Sequence, residues 1–280
     1  MYLPAHFEER RPEVLQQLMR SHPLGLLVTL ADAGLQANPV PFMLDADRGA
    51  HGTLLAHVAR ANPLWRQTRS DVEALVVFQG PQAYISPALY ASKAVDGKVV
   101  PTWNYCMVQA RGSLRAVDDA PWLHVLVSRL TQRMESPRGA PWAVGDAPDD
   151  YIATMIRGIV GIEITLSSLV GKWKVSQNRD AADREGVAAG LAGQADAAPG
   201  AAVMAVQVRT PGAPYAAAWI DGGRVRMYGN PAGRLKTARR RAFCCLDRSA
   251  QTVSRHSLGV SSGNSAGSQV STSTAERPTR

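Results

Sequence analysis

The chain has 280 residues, 45% hydrophobic and 19% charged, a soluble globular balance with enough apolar material for a core. No apolar run approaches the ~18–20 residues needed to cross a bilayer. Three cysteines, Cys106, Cys244 and Cys245, include no CxxC pair and make no disulfide framework, so a cytoplasmic, reducing compartment is expected.

The net charge of +8 is unevenly spread. Residues 196–280 hold 12 Lys and Arg against 4 Asp and Glu, whereas residues 1–195 hold 19 of each. The main part of the chain is therefore not basic, and a nucleic-acid reading has to rest on the C-terminal part.

In chain order, Pro12 opens a short helix whose Val14, Leu15, Leu18 and Met19 share one face, and His22-Pro23 ends it. LGLLVTL reads as a buried strand, ADAG as a turn and LQANPVPFML as a second strand, which Pro39 and Pro41 push to a sheet edge or bulge. GTLLAHVA is a third strand, and NPLWRQT begins a short helix. EALVVFQG and the run from Trp103 to Val117 continue the strands. Asp118 to Glu135 reads as a helix with Leu123, Leu126, Val127 and Leu130 inward. Pro148-Asp149-Asp150 is a helix start, IVGIEITL a last strand, and residues near 180–192 a final helix.

Six or so strands with few helical crossovers predict an antiparallel sheet closing into a barrel, with helices outside. Within 1–195, GxGxxG after a strand, Walker-type GxxxxGK[ST], HExxH and GxSxG are absent. A domain over 1–195 is expected to be followed by a small-residue linker and a basic, Ser/Thr-rich tail over 196–280, largely disordered. In that tail AAVMAVQVRT and AAAWIDGGRVRMYG read as a weak hairpin, and RLKTARRRAF at 234–243 is the one dense basic cluster. It is a solvated arm, a DNA or RNA contact, or part of an altered C-terminus with no function.

Four segments carry candidate chemistry. In HVARANP, His57 ends a strand, Arg60 is a fixed cation and Asn62-Pro63 caps the next helix; an arginine beside helix-start N–H groups suits a phosphate, and a capped helix with a solvated arginine is the plainer reading. In AYISPALY, Tyr84 and Ser86 precede Pro87, which keeps the chain extended. In VPTWNY, strand alternation puts Trp103 and Tyr105 on one face and Thr102 and Asn104 on the other. The aromatics form either a wall for a flat ring or packing under a helix. In GKWKVSQNR, alternation sets Lys172 and Lys174 opposite Trp173. Like charges on one face are tolerated with an anion between them or open water around them; Ser176, Gln177 and Asn178 add donors and acceptors. Cations for phosphate, aromatics for a heterocycle and amides for its edge are together what a flavin mononucleotide needs.

MYLPAHF, HVARANP, QAYISPALY, VPTWNY and GKWKVSQNR, in that order over about residues 1 to 195, resemble the PaiB family of FMN-binding split-barrel proteins, described as negative transcriptional regulators. The resemblance implies a mainly β fold, an antiparallel six-stranded split β-barrel with peripheral helices of the pyridoxamine-phosphate-oxidase-like type. It also implies a homodimer with FMN in a groove at the subunit interface. Arg60, Asn62, Tyr84, Ser86, Trp103, Asn104, Lys172, Trp173, Lys174, Gln177 and Asn178 are then the candidate flavin or pocket residues. The chain departs from the pattern in having Ala88-Leu89 where relatives often carry an aromatic, and in running past the family's usual end near 205 to 215.

Three functions are consistent with these features. One is a dimeric FMN-binding repressor with DNA as partner, although no helix-turn-helix pattern is visible. A second is a flavin reductase-like oxidoreductase, with a lysine near the flavin's N1 and O2 and His57 as a candidate proton donor. The third is a split barrel holding haem, for which His6, His22, His51, His57, His124 and His256 are candidate axial ligands. No metal site and no membrane partner are expected.

Overall fold

The computed structural model describes residues 1–194 and 198–214, together with the strands Ala218–Asp221 and Arg224–Met227. A short turn of 3-10 helix, Ala5–Phe7, leads into β1 (Glu8–Glu9) and α1 (Pro12–Ser21). Proline at the start of α1, Glu13 in its first turn and Arg20 in its last complement the helix ends, and Val14, Leu15, Leu18 and Met19 are buried. Next come β2 (Leu24–Ala31), β3 (Gly34–Pro41), β4 (Met43–Asp45), β5 (Thr53–Ala59) and the single-turn α2 (Leu64–Gln67). β6 (Ala74–Ile85) and β7 (Thr102–Val117) are joined through 3-10 turns, and α3 (Ala120–Glu135) follows, its N-cap Asp119 accepting from Trp122 N at 2.7 Å. α4 (Asp149–Arg157), β8 (Ile159–Lys174), α5 (Ala181–Gly193) and α6 (Pro199–Arg209) follow, then a separate antiparallel pair, β9 (Ala218–Asp221) and β10 (Arg224–Met227).

Hydrogen-bonded neighbours run β3-β2-β6-β7-β8-β5-β4, every pairing antiparallel, with β1 beside β8. The two ends of that path, β3 and β4, are consecutive in the chain and separated only by Phe42. Counting them as one bent strand leaves six strands closed on themselves, with a seam between β3 and β5 that no ladder covers. This is the expected six-stranded split barrel. Pro39 and Pro41 lie at the seam, where a missing N–H disrupts no interior ladder. Asn62, just after β5, donates across the seam to Asn38 Oδ1 at 3.3 Å.

The barrel interior holds Leu27, Leu54, Val76, Phe78, Val108, Ile162, Ile164 and Trp173, and α1, α5 and α6 extend the same core. A second small cluster, Met43, Leu55 and Leu126, sits under α3, which buries Leu123 and Leu126.

Two readings from sequence change. IVGIEITL opens the last barrel strand, β8, which runs on without a break through the GKWK of GKWKVSQNR, while VSQNR turns off its end. AAVMAVQVRT is not a hairpin strand but most of α6, and the expected boundary near 195 falls between two packed helices. Ala201, Met204, Ala205 and Val208 recur at helical spacing and are all buried in the main core. Small side chains there serve close helix packing, not linker flexibility. The run at 234–243 and the Ser/Thr-rich terminus lie outside the described residues.

Candidate functional site

The site begins at an irregularity in β6. Its inward residues are Ala74, Val76 and Phe78, then Pro81, Ala83 and Ile85, so the parity of the strand flips. The β6–β7 register breaks between Gln79 and Gln82, where Gly80-Pro81 forms a bulge. A Cβ on Gly80 would lie 2.9 Å from Leu18 Cδ1 and 3.2 Å from the Cys106 carbonyl oxygen, so the close approach of α1 and β7 favours glycine. The flip turns Gln82 and Tyr84 outward beside Gln79.

On the barrel's outer face, Tyr84 of β6 stands opposite Trp103 of β7, their rings edge to face with centroids 6.0 Å apart. They are 51% and 53% exposed, so this pair is a wall facing solvent and not core packing. Further along β7, Tyr105 pairs with Lys174 and Met107 with Lys172. Both lysines point outward and Trp173 points in, as alternation predicts. Trp173 is 1% exposed and its Nε1 donates to Gln207 Oε1 of α6 at 3.2 Å.

Lys172 is buried beneath the N-terminal segment. Its Nζ donates to the Tyr2 carbonyl at 2.9 Å and lies 5.6 and 5.5 Å from the ring centroids of Tyr2 and Tyr105. Lys174 Nζ donates to Thr102 Oγ1 and, at 2.6 Å, to the Trp103 carbonyl. Burial, with repulsion from Lys172 and Arg179, holds its amine below the ordinary lysine range. One buried and one partly buried ammonium group on the same face make an electropositive patch that an anion would relieve.

A cavity of about 530 Å³ opens on this face, lined by Tyr2, Gln79, Gln82, Trp103, Tyr105 and Lys172 among others. A second, of about 430 Å³, lies on the other side of Trp103 and Gln82, reaching Ser86 and Gly200. Gln79, Gln82 and Gln109, which line the first cavity, carry donors and acceptors that sequence reading did not single out. The Gly-Pro pair inside a strand was the available signal, because it marks a bulge and so moves Gln82 and Tyr84 to the outer face.

The other candidates stand elsewhere or do other work. Arg60 Nη1 and Nη2 bind the two carboxylate oxygens of Asp118 at 2.7 and 2.6 Å. Its Nε reaches the Arg157 carbonyl at 2.7 Å, and Nη2 that of Ile159 at 3.1 Å. Asn62 Oδ1 accepts from Leu64 N at 2.9 Å, capping α2. Both lie by the Ile159 end of β8, and Lys174 ends the strand fifteen residues on, roughly 50 Å along it. One chain therefore does not bring Arg60 and Asn62 to the lysines. His57, on β5, belongs to that distant end as well; burial holds its imidazole below the ordinary range, and its Nδ1 has no hydrogen-bond partner among the described residues.

Ser86 caps the turn Pro87–Leu89, accepting from Ala88 N at 3.2 Å. Asn104 points into the protein, 1% exposed, and bonds Ser176. Gln177 folds back on its own turn: Oε1 accepts from Val175 N at 2.7 Å and Nε2 donates to the Trp173 carbonyl. Asn178 is exposed. The outer-face groove thus gathers Tyr84, Trp103, Lys172 and Lys174, with Ser86 at the second cavity, while Asn104, Trp173 and Gln177 lie behind it.

Residues 1–168 match a family model described as "Putative FMN-binding domain". A protein of Emericella nidulans, named as uncharacterized protein AN0679, is 36% identical over 229 residues, covering 68% of this chain and 90% of that one. The Bacillus subtilis "Protease synthase and sporulation protein PAI 2" is 29% identical over 183 residues, covering 65% of this chain and 85% of that one. Among solved structures, the FAD and heme binding protein from Mycobacterium smegmatis is 17% identical with a TM-score of 0.44, covering 65% of this chain and 80% of that one. A family model spanning more than half the chain, on a six-stranded split barrel, means that this protein belongs to the FMN-binding-domain family and is a relative of PAI 2.

Proposed function

We propose that the protein is a dimeric FMN-binding regulator of transcription that holds flavin in the outer-face groove of β6, β7 and β8. The observation that carries the flavin reading is the meeting of two outward lysines with two half-exposed aromatic rings on adjacent strands. Lys172 and Lys174 suit the phosphate or other electron-rich oxygens of the cofactor. Trp103 and Tyr105 suit its flat ring, and Gln79, Gln82 and Gln109 its polar edge. A cavity of about 530 Å³ is of the size small-molecule sites have. Bound flavin would supply electron-transfer chemistry; the chain's part is to bind it, orient it and exclude water.

Dimerisation rests on the family resemblance and on two further features. Leu24 and Leu26, on β2 beside β6, are 63% and 42% exposed, an apolar face that a second copy would cover. Arg60 and Asn62 stand at the opposite end of β8 from the lysines, so a site using both sets needs two chains. The regulatory part rests on the resemblance to the PaiB family, described as negative transcriptional regulators, with the basic run at 234–243 as the DNA contact.

The test is the absorption spectrum of the purified full-length protein before and after FMN is added, with sedimentation to give mass. Saturable uptake of one FMN per chain by a dimer is expected, and a protein that takes up no flavin would overturn the reading. Steady NAD(P)H oxidation by the holoprotein would move it to the flavin-dependent oxidoreductases.

A further inference from the structure

The ladder between β7 and β8 ends at the pair Tyr105–Lys174. Beyond it, Trp103 and its neighbours keep backbone partners on the β6 side only. The contact with β8 is carried on by side chains. Outside the barrel, Lys174 bonds Thr102 and the Trp103 carbonyl. Inside, Asn104 Nδ2 donates to Ser176 Oγ at 2.9 Å, with the two residues 1% and 3% exposed. An amide and a hydroxyl buried to that degree are each costly unless bonded, so the pair is held together by what separation would cost.

Ser176 is also the one non-glycine residue with positive φ among the described residues, at +68°. In that conformation Cβ crowds the backbone and glycine is the easy choice. A serine held there is explained by what its hydroxyl bonds. Gln177 closes the same turn from the other side through Val175 N and the Trp173 carbonyl. Asn104 thus lies between the two aromatics of the groove and joins them, through Ser176, to the turn two residues after Lys174.

We propose that Asn104 and Ser176 are a positioning pair: they touch no ligand and fix the Trp103–Tyr105 backbone against Lys174, which sets the spacing of ring wall and cation in the groove. The proposal rests on the flavin reading above and deepens it. Two variants separate positioning from stability. Ser176→Gly relieves the positive-φ backbone but leaves the buried Asn104 amide without its partner, two effects of opposite sign, so its melting temperature should fall less than that of Asn104→Ala. Asn104→Ala should melt lower, because a buried hydrogen bond and some packing are lost. Both should weaken FMN binding by roughly five- to tenfold, measured well below the melting transition.

Hydrogen exchange on the flavin-free full-length protein gives the second readout. Peptides covering 102–105 and 174–178 should exchange faster in both variants, with the rest of the barrel unchanged. If both variants bind FMN as tightly as wild type, or exchange in these segments as slowly, the positioning role is refuted. If wild-type protein takes up no FMN, the flavin reading fails by itself, and the exchange data still decide whether this pair holds the two strands together.

Discussion

The most direct check on the architecture is Met204→Ala in α6. Met204 is fully buried, with Ala201, Ala205 and Val208 on the same helical stripe, and all four belong to the barrel's main core. Removing a fully buried methionine side chain costs about 2–5 kcal/mol, from lost transfer energy and the cavity left behind. In a domain of roughly 200 residues each kcal/mol moves the melting temperature by about 2–4 °C, so a loss of about 3 kcal/mol lowers it by about 6–12 °C. Thermal unfolding followed by far-UV circular dichroism measures this. The control is Val206→Ala on the same helix, 39% exposed, which should change stability little because alanine is also the better helix former. A Met204→Ala protein that melts with wild type would refute the assignment of α6 to the core. It would restore the boundary near 195 that the small-residue composition suggested.

Lys172→Met keeps the stem over Tyr105 and removes the charge, so FMN affinity measured by flavin fluorescence should fall about tenfold while the fold persists. Burial alone would raise the Glu163 carboxyl, but hydrogen bonds and charge from Arg48 and Arg115, at 2.5 and 2.9 Å, hold it below the ordinary range. A lowered folded-state value means stability that is present above the unfolded carboxyl's pKa of about 4.3 and is lost as pH falls through the folded value. Wild type should therefore exceed Glu163→Gln in denaturant midpoint near neutrality, with the gap closing in acid. Arg60→Ala should lower the melting temperature by freeing Asp118 and two carbonyls, yet leave flavin-free hydrogen exchange at 102–105 unchanged. Deleting 234–280, the segment with the dense basic run, should abolish DNA retention at moderate salt, and unchanged retention would exclude that segment as the contact.

Much of the fold was legible because each signal was local. Val14, Leu15, Leu18 and Met19 repeat at helical spacing, and all four are buried along α1. LGLLVTL and GTLLAHVA are β-rich runs bounded by turns, and both became strands. α6 was missed because alanine and glycine carry a weak apolar pattern that reads equally as linker. Its Met204 and Val208 reveal a face only once α5 and the barrel are there to bury it. Alternation within KWK correctly separated Trp173 from the two lysines, since nothing interrupts β8 between them.

Sequence by itself determined which residues are adjacent along a strand and which of them share a face over a few positions, because the period of two is a property of the backbone. It also located the motifs that carry the family resemblance. Only the tertiary structure decided how those faces line up between strands. The Gly80-Pro81 bulge reverses parity within β6 and brings Tyr84 opposite Trp103 on the outer face. A second register shift, beside Ser167, does the same in β8: a Cβ on Gly112 would lie 2.1 Å from the Thr165 carbonyl oxygen, so the strands meet there only because Gly112 has none. The pairing of strands far apart in sequence likewise sent Arg60 to one end of β8 and Lys174 to the other. The two parity changes depend on where an extra residue is accommodated between two strands. That is settled by the packing of both partners together, not by the alternation of either one.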